Sequence, residues 1–376
     1  MLSTETINTM LLSRLALFRQ AELLNLYKRA ENASQIIDHK DNIKDIIPDA
    51  SNFLIEALKN IDLFRERVEK ELEFIEEKGI RVFTFNDADY PQRLKECPDA
   101  PLLLFYKGKA SLNPLRCINI IGTRHCTNYG KDLIRSFVKE LKSLCPQIVI
   151  YSGLAYGVDI YAHRAAIENS IETIGVLAHG LDMIYPSTHK DTAIEMLKTG
   201  GLLTEYMSMT QPKPRNFVQR NRIVAGCCDA TILVESASKG GGLITCGIAH
   251  SYNREIFAFP GNVGSEYSEG CNNLIRKNCA NLITSAYDFV QAMGWEDTSK
   301  IDIARKKGIE RTLFPNVTEE EERIITTLTK HNDLQINMLS IQSGIPFSKL
   351  TGLLFSLEMK GIVKMLAGGI YHLYMM

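Results

Sequence analysis

From Cys117 to about Ile283 the chain alternates short apolar runs with helical patterns, and that alternation admits few folds. The runs are "CINII", "IVIYSG", "TIGVLAH", "GLLTEY", "ATILVES", "EIFAFPG" and "NLIT". Between them lie stretches of helical character, among them Gly130–Leu144, Asp159–Asn169, Asp191–Lys198 and Thr245–Asn253. A strand buried on both faces reads as a continuous apolar run, and parallel neighbours need a helical crossover between them. The pattern predicts an α/β domain with a doubly wound, mainly parallel sheet. Ligands of such sheets sit beyond the carboxyl ends of the strands, so the residues that follow each run carry the functional information.

The first run opens "GTRHCTNYG". Gly122 is in place, but the other glycines of G-x-G-x-x-G are missing and Arg124 stands two residues on, after Thr123. The second run leads into Ser152, Gly153 and Gly157, and the fifth into Gly240, Gly241 and Gly242 ahead of a helix. Glycines before a helix N-terminus leave several N–H groups open to an anion, although tight strand-to-helix turns need glycine for geometry alone. The most unusual stretch is "QPKPRNFVQRNRIVAG". Lys213, Arg215, Arg220 and Arg222 fall together without an acid, with Phe217 and Asn221 among them. Cations that neutralise phosphates and an aromatic that stacks on a base are the two parts of a single-strand surface. The competing reading is a solvated basic loop with Phe217 in the core. Ile223 and Val224 directly after Arg220-Asn221-Arg222 favour side chains that point into a cleft.

Enzymatic readings find less support. Ser152, Asp159 and His163 are triad types, but Ile150 occupies the first glycine position of G-x-S-x-G, and Asp159 and His163 at i, i+4 make a helix-face pair. "PGNVGSEYS" approaches P-G-G-x-G-T-x-x-E of nucleotide phosphoribohydrolases, with Asn262, Ser265 and Ser268 where that motif has Gly, Thr and the catalytic Glu. Without the carboxylate the acid/base group is gone. No zinc spacing or Walker lysine occurs. No catalytic residue, metal or cofactor is therefore expected.

The net charge of −1 means that a polyanion must be held by a local patch. The nine cysteines form no C-x-x-C pair and read as reduced, mostly buried thiols of a cytoplasmic protein. The opening "MLSTETINTM" lacks the pattern of a secretory leader, and no apolar run is long enough for a membrane span, so no membrane partner is expected.

At 376 residues the chain is long enough for two or three domains. Residues 1–88 read as helical, residues 89–295 as the α/β core and the mixed-charge residues 296–316 as a linker. Residues 317–376 give helix, helix, helix, hairpin, the order of a winged helix, opened by Thr318 and Glu321 at capping-box spacing. Gly344 and Gly361 close two of the helices, and Gly368-Gly369 marks the hairpin.

Taken in order, "IIGTR…YG", "SGLAYGVDIYAH", "GLDMIYP", "GGLLTEY", "F…RNRIVAG", "LVESASKGGGLIT", "FAFPG" and "GCNNLI" resemble the DNA-processing protein A (DprA/Smf) family over about Tyr90 to Ile283. The resemblance implies an extended Rossmann-like core that binds single-stranded DNA without sequence preference. It further implies a homodimer and the loading of a RecA-type recombinase in natural transformation, with single-strand DNA-binding protein as an additional partner. The family's G-S-R arginine maps to Arg124, with Thr123 for serine, and its F-x-x-R-N-R motif to Phe217, Arg220, Asn221 and Arg222. Lys213 and Arg215 lie just ahead of that motif. The N-terminal residues match a helical, sterile-alpha-motif-like domain but lack a G-x-G hairpin turn. The third C-terminal helix carries few cations, which puts a protein-contact role beside duplex reading. Two rival functions remain at this stage: a sensor of a nucleotide-derived small molecule in the same pocket, and a nucleotide hydrolase.

Overall fold

The apolar runs form seven neighbouring strands of one nine-stranded sheet, the last of them at its edge. The computed structural model describes residues 2–15, 20–295, 317–332, 334–360, 362–366 and 369–373. The linker read at 296–316 lies outside the described residues, as do Gly361 and Gly368. The chain divides into two compact units, Met1–Thr298 and Ser299–Met376.

In the first unit the parallel strands are β3 (Arg116–Ile121), β4 (Ile148–Ser152), β5 (Glu172–Val176), β6 (Gly201–Thr204), β7 (Ala230–Leu233), β8 (Glu255–Ala258) and β9 (Asn281–Leu282). Two earlier strands, β1 (Arg81–Thr84) and β2 (Leu103–Gly108), complete the sheet in the order β1-β2-β6-β5-β4-β3-β7-β8-β9. β1 pairs antiparallel with β2 and β2 with β6, and the remaining pairs are parallel. The winding runs from β3 through β4, β5 and β6 on one side and resumes on the other at β7. The reversal point therefore lies between β3 and β7, where open α/β sheets form their crevice.

Alternation along the strands divides the core into two layers. Ile118 and Ile120 of β3 and Ile148 and Ile150 of β4 pack with α7 (Asn128–Leu144), α8 (Val158–Glu168) and α13 (Ala286–Ala292). α7 faces them with Ile134, Phe137, Val138 and Leu141, one stripe at helical spacing. Cys117, Ile121, Val149 and Tyr151 point to the opposite layer, which contains α10 (Pro214–Gly226) and α11 (Gly241–Ser251). That layer is continuous with the N-terminal helices, of which α1 (Thr4–Ser13), α2 (Gln20–Arg29) and α5 (Arg65–Lys78) matter below. Met10, Leu24 and Leu58 share its buried cluster with Phe105 and Leu203, so the N-terminal helices are built onto the sheet. A buried hydrogen-bond set fastens them: the Glu71 carboxylate accepts from the Ser208 N–H and hydroxyl and from Arg67.

The nine cysteines are free thiols, and all but Cys126 and Cys279 are buried. Among the described residues no helix is long and apolar enough to cross a membrane.

The second unit runs helix Glu319–Lys330, strand Leu334–Gln335, helix Ile336–Ser343, helix Phe347–Met359 and strands Val363–Leu366 and Ile370–Leu373. The strands form a small antiparallel sheet with Ile370–Leu373 in the centre. Thr318 and Glu321 make the reciprocal capping box, and Gly344 closes its helix in the left-handed conformation at φ 69°. The short strand Leu334–Gln335 is an element that the sequence reading did not contain.

Candidate functional site

Three loops meet at the β3/β7 crevice, and their backbones are packed too closely for side chains. A Cβ on Gly122 would lie 2.6 Å from the Glu235 carbonyl oxygen and from a Val158 methyl. Gly157, at φ 77°, rests on the backbone of Thr123 and Arg124. The Thr123 N–H donates to the Glu235 carbonyl at 2.8 Å, and the Val158 N–H donates to the Thr123 carbonyl at 3.1 Å. These bonds hold the loop after β3 from both sides. The Glu235 carboxylate adds a latch, accepting from the N–H of Thr127 at 2.8 Å and from its hydroxyl at 2.6 Å. Both oxygens of that acid are thereby occupied, and the tip of the loop is left exposed as Arg124.

The Arg124 guanidinium lies 5.6 Å from the centre of the Phe217 ring. The Tyr185 ring sits 5.8 Å from Phe217, tilted 59° to it. Phe217 is half-buried, and Arg124 and Tyr185 are exposed. Cation, ring and ring form a platform at the mouth of the crevice, with spacing that suits cation–π contact. Tyr185 was quoted in the sequence only within "GLDMIYP" and given no role; nothing in its local pattern shows that it comes beside Phe217.

Phe217 belongs to α10, where the sequence suggested a basic loop. Pro214 occupies the first turn, where its missing N–H is harmless. Lys213 stands at the N-cap position without an acceptor side chain, and Arg215 follows in the first turn. Cations at this end oppose the helix dipole, an unfavourable placement of about 0.3–1 kcal/mol each that a bound anion reverses. Lys213 and Arg215 are exposed, Asn221 is half-exposed, and no acid occupies the first turn.

The two remaining arginines of the stretch turn inward. Arg220 is 3% exposed and donates to the Val176 carbonyl at 2.5 Å, with its guanidinium against Gly153. Any side chain at Gly153 would occupy the place of that guanidinium, so the glycine serves packing rather than backbone contact with a ligand. Behind it the Asp159 carboxylate accepts from the N–H groups of Gly153 and Ala155 at 3.1 and 3.4 Å. Burial pushes the Asp159 carboxyl above its usual range, and Arg220 opposes the shift. Arg222 is 5% exposed, paired with Glu205 and bonded to the Asp99 carbonyl. It lies inside the layer between sheet and helix, out of reach of a strand at the surface. The four cations, adjacent in sequence, thus divide into an exposed pair and a buried pair.

Ser152 is fully buried, its hydroxyl donating to the Ile120 carbonyl at 2.6 Å. His163 is 2.7 Å from the Thr173 hydroxyl through Nδ1, so Ser152, Asp159 and His163 do not assemble as a triad. Ser268, at the place of the hydrolase carboxylate, is buried. Among the described residues no cluster of His, Cys, Asp or Glu could hold a metal. Gly241 opens α11 beside the crevice with free space around it, Gly240 at the N-cap packs so closely on the Ser236 hydroxyl that a Cβ would lie 2.3 Å from it, and Gly242 brings the helix against Leu233 and Gly122.

Burial holds the His163 imidazole neutral, pushed down to about 3. An unfolded histidine titrates near 6.5, so between these values the unfolded chain holds more protons and native stability falls as pH drops. Compared with His163→Gln, in which the other titrating groups are unchanged, the wild type is expected to lose about 1.4 kcal/mol of relative stability per pH unit below about 6. Urea unfolding of both proteins across that range checks it, and a gap independent of pH would show the histidine to be solvated.

A family model described as DNA recombination-mediator protein A matches residues 81–294. The chain is 38% identical over 206 residues to the DNA processing protein DprA of Streptococcus pneumoniae, covering 55% of this chain and 72% of that protein. It is 38% identical over 240 residues to the Bacillus subtilis DNA processing protein DprA, covering 63% and 80%. The solved structure of the Streptococcus pneumoniae protein superposes with a TM-score of 0.65 at 32% identity, covering 77% of this chain and 98% of that one. DNA processing protein A from Helicobacter pylori, solved for its single-stranded DNA binding mode, gives a TM-score of 0.52 at 28% identity, covering 57% and 95%.

Proposed function

The chain belongs to the DNA recombination-mediator protein A family, and from that premise we propose that it binds single-stranded DNA without sequence preference. The observation that carries the reading is the exposed platform of Arg124, Phe217 and Tyr185, followed by the cations Lys213 and Arg215 at the open end of α10. A strand lying across it has phosphates at Arg124, at Lys213 and Arg215 and at the glycine-bounded start of α11, with a base on Phe217. The Helicobacter pylori relative, solved for its single-stranded DNA binding mode, supports the same reading.

The mechanism is binding and hand-off. The strand is held through phosphate and ring faces, which every nucleotide offers, so sequence is not read. The strand is passed to a RecA-type recombinase by a homodimer of this cytoplasmic protein, with single-strand DNA-binding protein as a further partner. No bond is made or broken: Asp159 is buried beside Arg220, the Glu235 carboxylate is taken up by Thr127, and Ser268 supplies no carboxylate.

In the C-terminal unit, helix Phe347–Met359 has Phe355 and Met359 65% and 74% exposed. Its flanking lysines are engaged, Lys349 with Glu320 at 2.5 Å and Lys360 with Glu321 at 2.8 Å. An apolar face with paired cations suits protein contact better than a DNA groove.

Phe217→Ala is expected to weaken binding of an unstructured oligothymidine by about 1–3 kcal/mol while leaving the salt dependence unchanged, because stacking releases no counterions. Fluorescence anisotropy at several salt concentrations measures both quantities. A variant that binds like wild type would remove Phe217 from the path. Release of the labelled strand by micromolar mononucleotide would favour the small-molecule sensor.

A further inference from the structure

The first helices and α10 enclose a groove of about 500 Å³, lined on one wall by Arg14 and Gln20 and on the other by Lys213, Arg215 and Gln219, with Tyr206 between them. Helical spacing sets its relation to the platform. Arg215 and Gln219 are one turn apart on one face of α10, and Phe217, two residues from each, lies on the opposite face. The open N-terminus of the helix, with Lys213 at the cap, is the bridge between the two faces.

The charge balance of the groove is one-sided. Among the described residues its only lining carboxylate is Glu205, already paired with Arg222. Lys213 and Arg215 have no acidic partner among the described residues. Arg14 rests over the Phe64 ring at 5.5 Å, and its Nε is buried without a hydrogen-bond partner among the described residues. Arg67 stands close enough to add like-charge repulsion, which the Glu71 carboxylate, itself bonded to Arg67 and Ser208, opposes. Three cations gathered around an open groove with no free acid among the described residues make an anion site.

We propose that the bound strand crosses the N-terminus of α10 and continues into this groove, where Arg14 of the N-terminal helices neutralises a further phosphate. The proposal rests on the single-strand reading and extends it: the N-terminal helices, outside the matched family segment, become part of the DNA path and favour longer strands over short ones. The ligand is the sugar-phosphate backbone, and Tyr206 offers a ring at the groove floor.

The test uses the full-length protein and two fluorescent oligothymidines, one of about 6 nucleotides, near the lower end of the range that single-strand sites span, and one of about 25, beyond its upper end. Arg14→Gln removes the charge, and Gln20→Glu places an acid on the same wall from a partly exposed position, so a folding defect in the first does not decide the matter. Each variant is expected to lower the ratio of long-strand to short-strand affinity about tenfold, with Arg14→Gln reducing the salt slope for the long strand by about 0.7. Arg124→Glu serves as the reference and loses both strands. Unchanged ratios in both groove variants beside a defective Arg124→Glu would overturn the groove path alone. An Arg124→Glu protein that binds both strands normally would overturn the underlying reading and the groove with it.

Discussion

Arg124→Glu is expected to lose single-stranded DNA affinity by on the order of a hundredfold or more while melting at the temperature of the wild type. The two halves of that expectation have separate causes. The side chain is exposed at the tip of a loop whose shape is held by backbone bonds from Thr123 to Glu235 and Val158, none of which involves the guanidinium. Stability should therefore change by less than about 0.5 kcal/mol, the usual scale for an exposed substitution. The binding loss adds a missing charge-assisted hydrogen bond, about 1.5–3 kcal/mol, to repulsion between the new carboxylate and the phosphate. Arg124→Lys separates charge from shape. It keeps the cation but loses the planar face set against Phe217, and is expected to fall between the two. Anisotropy titration and thermal melting of the three proteins measure the two halves independently.

Arg222→Ala should do the reverse. Its guanidinium is paired with Glu205 inside the protein, and both side chains are nearly inaccessible. Burial draws the Arg222 group down, and the Glu205 and Asp99 carboxylates more than offset it, which keeps the cation charged. Removing one member of a buried pair leaves the other as an uncompensated charge, so the substitution is expected to cost about 3–5 kcal/mol of stability. Replacing both, as Arg222→Met with Glu205→Leu, should recover most of that loss, because an apolar pair of similar volume has no charge to desolvate. Urea unfolding checks this, and folded Arg222→Ala protein should retain its affinity for DNA. A variant as stable as wild type that no longer binds would return Arg222 to the surface path on which the sequence placed it.

The contrast between these two arginines shows where sequence reading ends. The strands β3 to β8 were legible because burial on both faces leaves a nearly unbroken apolar signature, and α7 because Ile134, Phe137, Val138 and Leu141 recur at helical spacing. α10 was not legible as a helix. Its buried positions include Arg220 and Arg222, on different sides of the helix, where a pattern search expects leucine, and two prolines precede or open it. The same residues that carried the functional signal erased the structural one. Cation and aromatic types in "QPKPRNFVQRNR" pointed to phosphate and base, yet only burial separates Lys213 and Arg215, which face solvent, from Arg220 and Arg222, which do not.

Glycine was ambiguous in the same way. Gly122, Gly153 and Gly242 read as backbone exposed to a ligand, whereas each gives way to a neighbouring loop, an arginine or a strand. Close approach of two protein segments and close approach of a ligand demand the same residue, so the sequence alone does not distinguish them. Tyr185 and Arg14 were unreadable for a different reason. Their partners, Phe217 and the α10 rim, are distant in the chain and come together only through the winding of the sheet.

The most direct test of the account is a titration of the protein into a fluorescent oligothymidine of about 20 to 30 nucleotides at several salt concentrations, with unlabelled duplex of equal length as competitor. The account predicts tight binding that weakens steeply with salt, with a slope of about 0.7 per phosphate neutralised, and resists displacement by duplex. Absence of binding at low salt, or displacement by duplex at equal concentration, would contradict it.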